Sequence, residues 1–276
     1  MVNTRHGQCA RKDLTESSVK REFVNEGLQD VGLVFYSETD STNTRAKIFA
    51  SSDAWQTSKA PTVFAAKMQT GGRGRLGRSF LSDGRGVYMS YLFRPTDAPG
   101  NAIQLTSRAA VIAARAIEEE SGGEVLIKWV NDLYMKGKKI AGILTEGRAA
   151  SDGTLEYMLI GIGINLFGCD FPAELADIAT DVERATGKRL SPERLIARIA
   201  RGLRDTLHDP SLIEEYRRRS FLIGERVNVI KHAECYPATV LGIADDFSLA
   251  VKREDGSCEL ILSGEVTVRK LEKGEI

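Results

Sequence analysis

Residues Gln69–Phe80 read QTGGRGRLGRSF, with Arg73, Arg75 and Arg78 interleaved among Gly72, Gly74 and Gly77. Glycine lets a backbone approach a ligand closely and take up positive φ. Arginine offers a planar fork of donors that matches carboxylate and phosphate. The two together suit a polyanion. The same glycines satisfy GxGxxG, but a dinucleotide-binding turn opens directly into a helix and has an acid about twenty residues on. Here Ser82-Asp83-Gly84-Arg85-Gly86 intervenes and a strand-like segment follows. The plainer readings are a surface loop or an RNA-binding RG segment. RG segments usually come as repeats in disordered sequence, whereas this copy is single and lies between two good strands, so a loop folding over a phosphate is the better reading.

Three further constellations could share a site with it. Lys128 sits in LIKWV, an apolar strand-like run, where a lone ammonium is costly unless an anion meets it. Snorkelling at a strand edge and pairing with Asp132 are the ordinary alternatives. Ser41-Thr42-Asn43 stands at a strand-to-helix junction. Such residues are common helix caps, and a helix N-terminus also presents N–H donors to a ligand. Gly161-Ile162-Gly163-Ile164-Asn165 puts two glycines in an apolar strand, which marks a bulge or a close approach by ligand or backbone. Arg217-Arg218-Arg219 and Lys231-His232 read as solvated charge with no role.

The elements that must position these residues follow from periodicity and punctuation. A short helix over 15–29 is capped by Thr15, and strands are expected at Leu33–Tyr36, Thr62–Met68 and Val87–Phe93. A helix is expected over 43–55. Ile103, Ala110, Ala113, Ala114 and Ile117 form the apolar stripe of a helix over 102–120. Glu124–Val130 reads as a strand. Lys139–Gly147 and Leu155–Leu166 read as a strand pair joined by the turn Ala150–Gly153. Ala173–Thr186 reads as a helix ending at Gly187, and Ser191-Pro192 opens another with Leu195, Ile199 and Leu203 inward. From Gly224 onward short alternating segments follow, with a hairpin at Asp255-Gly256. These suggest a small barrel appended to an α+β body.

The 276 residues allow one large domain or two unequal ones. The 38 basic and 38 acidic residues balance, which argues against bulk binding to nucleic acid or a membrane surface. Any anion site must be local. Cys9, Cys169, Cys235 and Cys258 show no metal-ligand spacing, so a structural zinc is not expected. Scattered cysteines without a signal peptide point to the reducing cytoplasm. No apolar run approaches the roughly 20 residues of a membrane helix.

Four pieces in this order resemble the biotin–protein ligases: DSTN (Asp40–Asn43), QTGGRGRLGRSF, KWVNDLY (Lys128–Tyr134) with KIAGILTE (Lys139–Glu146), and GIGIN (Gly161–Asn165). The likeness is close over residues 33–170. It is looser to the end, where GERV (Gly224–Val227) and SGEVTVR (Ser263–Arg269) resemble the family's SH3-like barrel. The resemblance implies an α+β fold: a mixed-sheet catalytic domain of the class II synthetase-like biotin/lipoate ligase type over 33–222, after a tail and short helix over 1–32, and the barrel over 223–276. It implies an enzyme that joins biotin to ATP as biotinyl-5′-AMP and passes the biotinyl group to one lysine of a biotin carboxyl carrier domain.

Residue by residue, it implies that Ser41, Thr42, Asn43 and Gln69 hydrogen-bond the ureido head. Gly72, Gly74, Gly161 and Gly163 would let the backbone approach biotin. Lys128 would stand between the biotin carboxylate and the α-phosphate. Arg73 and Arg75 would close over the adenylate, with Arg78 nearer pyrophosphate. Asn131 and Asn165 would meet the nucleotide and Phe80 would stack on adenine. Mg²⁺ would neutralise the ATP phosphates, with no metal site formed by protein alone. Val130 departs from the family's usual proline in KWPND. Many members dimerise through the central sheet, so a homodimer is among the expectations. About 32 residues precede the first catalytic strand, too few for the winged helix-turn-helix some members carry, so DNA binding is not expected. Lipoate–protein ligase is the nearest alternative, but lipoate enzymes carry a different glycine-rich signature from GRGRLGR. A biotin-responsive regulatory or binding module is the other.

Overall fold

A computed structural model describes residues 14–58, 60–95, 102–149, 154–231, 234–262 and 266–270. The central feature is a seven-stranded mixed sheet in the order β1-β2-β3-β7-β6-β5-β4. Its strands are Gly32–Thr39 (β1), Thr62–Gln69 (β2), Gly86–Phe93 (β3), Leu126–Lys128 (β4), Asp132–Met135 (β5), Lys138–Ala149 (β6) and Leu155–Asn165 (β7). The β1–β2 pair is parallel, and the other pairs are antiparallel.

Strand alternation divides the sheet's side chains between two faces. Val63 and Ala65 of β2, Val87, Met89, Tyr91 and Phe93 of β3, and Met158, Ile160, Ile162 and Ile164 of β7 enter the main core. That face is covered by helices Glu16–Asn25 (α1), Ala102–Ser121 (α4), Pro192–Thr206 (α6) and Leu212–Arg219 (α7). The expected stripes, Ala110, Ala113, Ala114 and Ile117 on α4 and Leu195, Ile199 and Leu203 on α6, are buried there. On the other face Phe64, Leu92, Tyr157 and Leu159 pack with Trp55 under Thr42–Ala50 (α2) and Asp53–Thr57 (α3). Moving along this second face the side chains shrink to Ser90, Gly161 and Gly163, so the sheet surface becomes hollow beyond α2.

The C-terminal segments form a five-stranded antiparallel sheet in the order β11-β10-β9-β8-β12. These are Arg226–Lys231 (β8), Glu234–Ile243 (β9), Leu249–Arg253 (β10), Cys258–Ile261 (β11) and Val266–Lys270 (β12). The outer strands β11 and β12 do not pair with each other among the described residues, so the sheet is not a closed barrel here. Gly256, at φ +87°, makes the β10–β11 hairpin.

Several expected elements differ. The helix over 43–55 breaks at Ser51-Ser52, because Ser52 accepts the Trp55 N–H and starts α3. The strand over 124–130 stops at Lys128, where Trp129–Asn131 turn the chain back into β5. The helix over 173–186 is reduced to a 3₁₀ turn at Ala173–Leu175 and helix Val182–Thr186 (α5), which ends at Gly187 with φ +73°. The residues between cross to β6, where Lys139 N–H meets Ile178 O and Thr180 N–H meets Lys139 O, both at 2.9 Å. The turn Ala150–Gly153, the tail before Leu14 and His232 lie outside the described residues.

The basic run at 217–219 is a correction in substance. It ends α7, and helical geometry aims Arg219 at α4. The Arg219 guanidinium is 14% exposed and pairs with Glu118 at 2.7 Å and Glu215 at 2.8 Å. Arg115 also pairs with Glu215, at 2.5 Å. Burial raises the Glu215 carboxyl, but hydrogen bonds from Arg115 and Arg219 outweigh it and hold the group below the usual carboxylate range. A carboxyl with a depressed folded pKa stabilises above its unfolded value of about 4.3 and loses that contribution as pH falls through the folded value. Arg219→Ala is expected to cost about 1–3 kcal/mol at neutral pH by urea denaturation. The deficit should shrink as the medium is acidified below about pH 4. A deficit that ignores pH would contradict this account of the cluster.

Candidate active site

The hollow on the sheet is bounded by the N-terminus of α2, the arginine–glycine loop and the β4–β5 turn. The loop folds as a hairpin. Gly74 N–H donates to Arg78 O at 2.7 Å, Phe80 N–H to Gly72 O at 3.0 Å, and Arg73 bridges Ser79. A 3₁₀ turn at Arg75–Gly77 closes its tip, with Gly77 at φ +74°. Gly72 is required by the returning strand, since a Cβ there would meet Phe80 O and the Ser82 hydroxyl. The loop's base is tied down where Thr70 and Gly71 N–H donate to Thr39 O and Asp40 O.

A polar relay runs beneath the loop. The Gln69 side-chain oxygen, Oε1, accepts from Thr42 N–H at 2.8 Å and from the Thr42 hydroxyl at 3.1 Å. The Gln69 amide donates to Ser82 Oγ at 3.0 Å, and Ser82 donates to Phe80 O at 3.0 Å. On the other side Ser90, fully buried in β3, lies 2.8 Å from Thr42 Oγ1 and 2.5 Å from Asn43 Oδ1. Asn43 in turn donates to Glu146 at 2.9 Å, and Glu146 pairs with Lys47 at 2.6 Å. The relay fixes the orientation of both side-chain amides, Asn43 and Gln69, from several sides. It also accounts for the glycines of β7. A Cβ on Gly161 would strike the Asn43 amide, and one on Gly163 would lie 2.6 Å from the Phe80 ring.

Opposite this floor, Lys128 ends β4 and is half-buried. Asn131 in the following turn donates to Ile143 O and accepts from Arg75 Nη1, both at 3.0 Å. Burial pulls the Arg75 pKa down, and neighbouring Arg78 adds to this while Asp132 opposes it. The second terminal nitrogen of Arg75, Nη2, is buried and finds no hydrogen-bond partner among the described residues. A buried unpaired donor is costly, so Arg75 is a group held ready for an acceptor. Asp132 is paired with Lys139 at 2.6 Å. Asn165 donates to Thr180 O at 3.2 Å, which ties the crossing segment to the end of β7. The Trp129–Val130 peptide bond is cis.

These walls enclose a cleft of about 730 Å³, within the usual range for small-molecule sites. Every candidate residue named from the sequence lines it except Gly72, which pairs with Phe80 at the base of the hairpin. Among the described residues five cations line it, Arg73, Arg75, Arg78, Lys128 and Lys139, against one acid, Asp132. Sequence reasoning missed the far wall, formed by Phe171, Leu175 and Ile178. Leu175 and Ile178 are exposed apolar side chains, 37% and 53% accessible. Their signal was hidden because the segment was read as a helix. Among the described residues no group of three or more His, Cys, Asp or Glu side chains could hold a metal ion, and no helix is long and apolar enough to cross a membrane.

Comparison with known proteins agrees with this geometry. Residues 34–165 match the model of the biotin/lipoate A/B protein ligase family. The biotin–[acetyl-CoA-carboxylase] ligase of Paracoccus denitrificans is 31% identical over 172 residues, which are 59% of this chain and 68% of that protein. The chain belongs to the biotin/lipoate A/B protein ligase family. The family's bifunctional ligase/repressor BirA from Bacillus subtilis is 38% identical over 189 residues, 67% of this chain. The chain spans 56% of that relative's length. Among solved structures, the Aquifex aeolicus biotin protein ligase in complex with biotin and ATP superposes with a TM-score of 0.72 at 28% identity, over 87% of this chain and 99% of that one.

The relay of this family member makes a testable demand. Ser90→Ala leaves the buried Asn43 oxygen without its nearest donor and is expected to cost about 1–3 kcal/mol in urea denaturation. Unchanged stability would remove Ser90 from the relay.

Proposed function

We propose that this protein is a biotin–protein ligase that activates biotin with ATP and transfers it to a lysine of a biotin carboxyl carrier domain. The observation that carries the reading is Arg75. Its guanidinium is held by a neutral amide, keeps one buried donor unpaired, and shares a cation-rich cleft with Lys128. The family membership and the biotin and ATP bound to the Aquifex relative support it.

In the first half-reaction a biotin carboxylate oxygen attacks the α-phosphorus of ATP. A P–O bond forms, the bond to pyrophosphate breaks, and a mixed anhydride results. Two anions must meet for this, and Lys128 between them lowers their repulsion and the charge of the transition state. Ser41, Thr42, Asn43 and Gln69 hold the ureido head. Gly74, Gly161 and Gly163 shape its wall, with Gly72 keeping the loop tight. Arg73 and Arg75 close over the adenylate, and Arg78 faces the departing pyrophosphate. Asn131 and Asn165 meet the nucleotide, and the adenine lies between Phe80 and the apolar wall of Leu175 and Ile178. Magnesium bound with the nucleotide would neutralise its phosphate charge, and Asp132 is the one acid among the described lining residues that could face it. In the second half-reaction a carrier lysine amine attacks the acyl carbon and AMP leaves. The closed loop keeps water from the anhydride until then.

We take residues 33–222 as the catalytic unit. Residues 223–276, whose described strands form the C-terminal sheet, are taken as the counterpart of the family's SH3-like barrel. The buried thiol of Cys169 and the exposed thiols of Cys235 and Cys258 suit a reducing cytoplasm.

Biotin-dependent exchange of pyrophosphate into ATP tests the reading. Exchange with biotin and not lipoate is expected, and exchange with lipoate alone would overturn it. Lys128→Ala should abolish exchange while leaving the thermal midpoint within a few degrees of wild type; exchange at the wild-type rate would exclude Lys128 from the mechanism. Arg73→Gly should release biotinyl-5′-AMP, so that bystander lysines become labelled. Retention equal to wild type would refute a lid role for the loop.

A further inference from the structure

We infer that Phe247, in the C-terminal sheet, is a positioning residue for the reactive centre, an assignment that rests on the ligase reading above. Phe247 lies in the turn between β9 and β10, closed by Ala244 N–H to Ser248 O and by Phe247 N–H to Ala244 O, both at 2.9 Å. It is buried and adopts φ +66°. A bulky residue rarely takes this left-handed conformation, which costs free energy unless the surroundings enforce it. Here the surroundings are the catalytic turn. The Phe247 carbonyl accepts the Trp129 indole N–H at 2.9 Å. The Phe247 ring stands edge-on to Tyr216, with centroids 5.4 Å apart, and the Tyr216 hydroxyl donates to Val130 O at 3.2 Å.

One residue of the C-terminal sheet therefore reaches both links, Trp129 and Val130, that join Lys128 to Asn131. Asn131 in turn anchors Arg75. The turn is braced from behind as well. Arg217 of α7 donates to Ile243 O at 2.9 Å and pairs with Asp245 at 2.6 Å, and the Arg108 guanidinium lies 5.6 Å from the Phe247 ring centroid. This gives Arg217 a task that its place in a basic run did not suggest. The left-handed backbone at Phe247 aims the carbonyl at Trp129 and the ring at Tyr216 together. A glycine holds the same backbone without strain but has no ring. Loss of the ring frees Tyr216 and, through it, the Val130 carbonyl, so the Lys128–Asn131 turn loses its tie at Val130.

Small displacements of positioned groups can cost on the order of 10- to 100-fold in rate. Phe247→Gly should slow biotin-dependent pyrophosphate exchange about tenfold in kcat, in line with that range. KM for biotin should stay within about threefold, because the relay under α2 is untouched. The decisive comparison is a double-mutant cycle with Asn131→Ala, run well below the melting temperature of each variant. If Phe247 acts through the turn, the double variant is no slower than Asn131→Ala alone. Tyr216→Phe, which keeps the ring and removes the hydroxyl, should fall between wild type and Phe247→Gly. Additive losses in the cycle, or a Phe247→Gly variant with wild-type kcat, would overturn the assignment. Wild-type protein without biotin-dependent exchange would instead refute the ligase reading.

Discussion

Bringing two anions into bonding contact requires positive charge that the protein has not already neutralised. On the ligase reading proposed above, this requirement governs the rest of the structure. Among the described residues the lining of the cleft carries five cations and a single acid, and that acid is paired with Lys139. Arg75 is fixed by the Asn131 amide and not by a carboxylate, so its position is set while its charge stays available to a ligand. A carboxylate in that place would bind Arg75 more strongly and cancel the field it is there to supply. The cost of a buried, half-satisfied guanidinium is borne by the packed sheet and helices around it.

The scaffold meets the requirement by dividing labour between the two faces of one sheet. The face under α1, α4, α6 and α7 holds the large apolar core and supplies stability. The face under α2 loses side-chain volume along β3 and β7, and the hollow this leaves becomes the site. The relay from Glu146 through Asn43, Ser90, Thr42 and Gln69 to Ser82 then links strand, helix and loop by hydrogen bonds that tolerate little displacement. The arginine hairpin is thereby seated on the same network that shapes the cleft floor.

The parts of this arrangement that were legible in the sequence are those whose chemistry is local. Arg73, Arg75 and Arg78 sit among glycines, Lys128 is the one charged residue of the run Leu126–Val130, and Ser41–Asn43 and Gly161–Asn165 are short contiguous motifs. The arginine–glycine loop, Lys128 and the glycines of β7 each violate a local expectation, which is where functional residues show, whereas Ser41–Asn43 reads as an ordinary helix cap. The strands and the long helices α4 and α6 were legible because their periodicity is strong. The crossing segment near Ile178 was not, because its residues have helical propensity and only pairing with β6 draws them out. The tie between Trp129 and Phe247 was equally hidden, since it joins residues 118 positions apart and involves a backbone carbonyl. Arg219 looked solvated because neighbouring arginines read alike until α7 turns one of them inward.

The account's central claim is that the cleft makes an acyl-adenylate and keeps it for one acceptor. Intact-mass spectrometry of a biotin carboxyl carrier domain incubated with this protein, ATP, Mg²⁺ and biotin tests that claim most directly. The account predicts one biotinyl group per carrier, on a single lysine, with none added when ATP is omitted. An unchanged carrier mass, or labelling spread over many lysines by the wild-type protein, would contradict it.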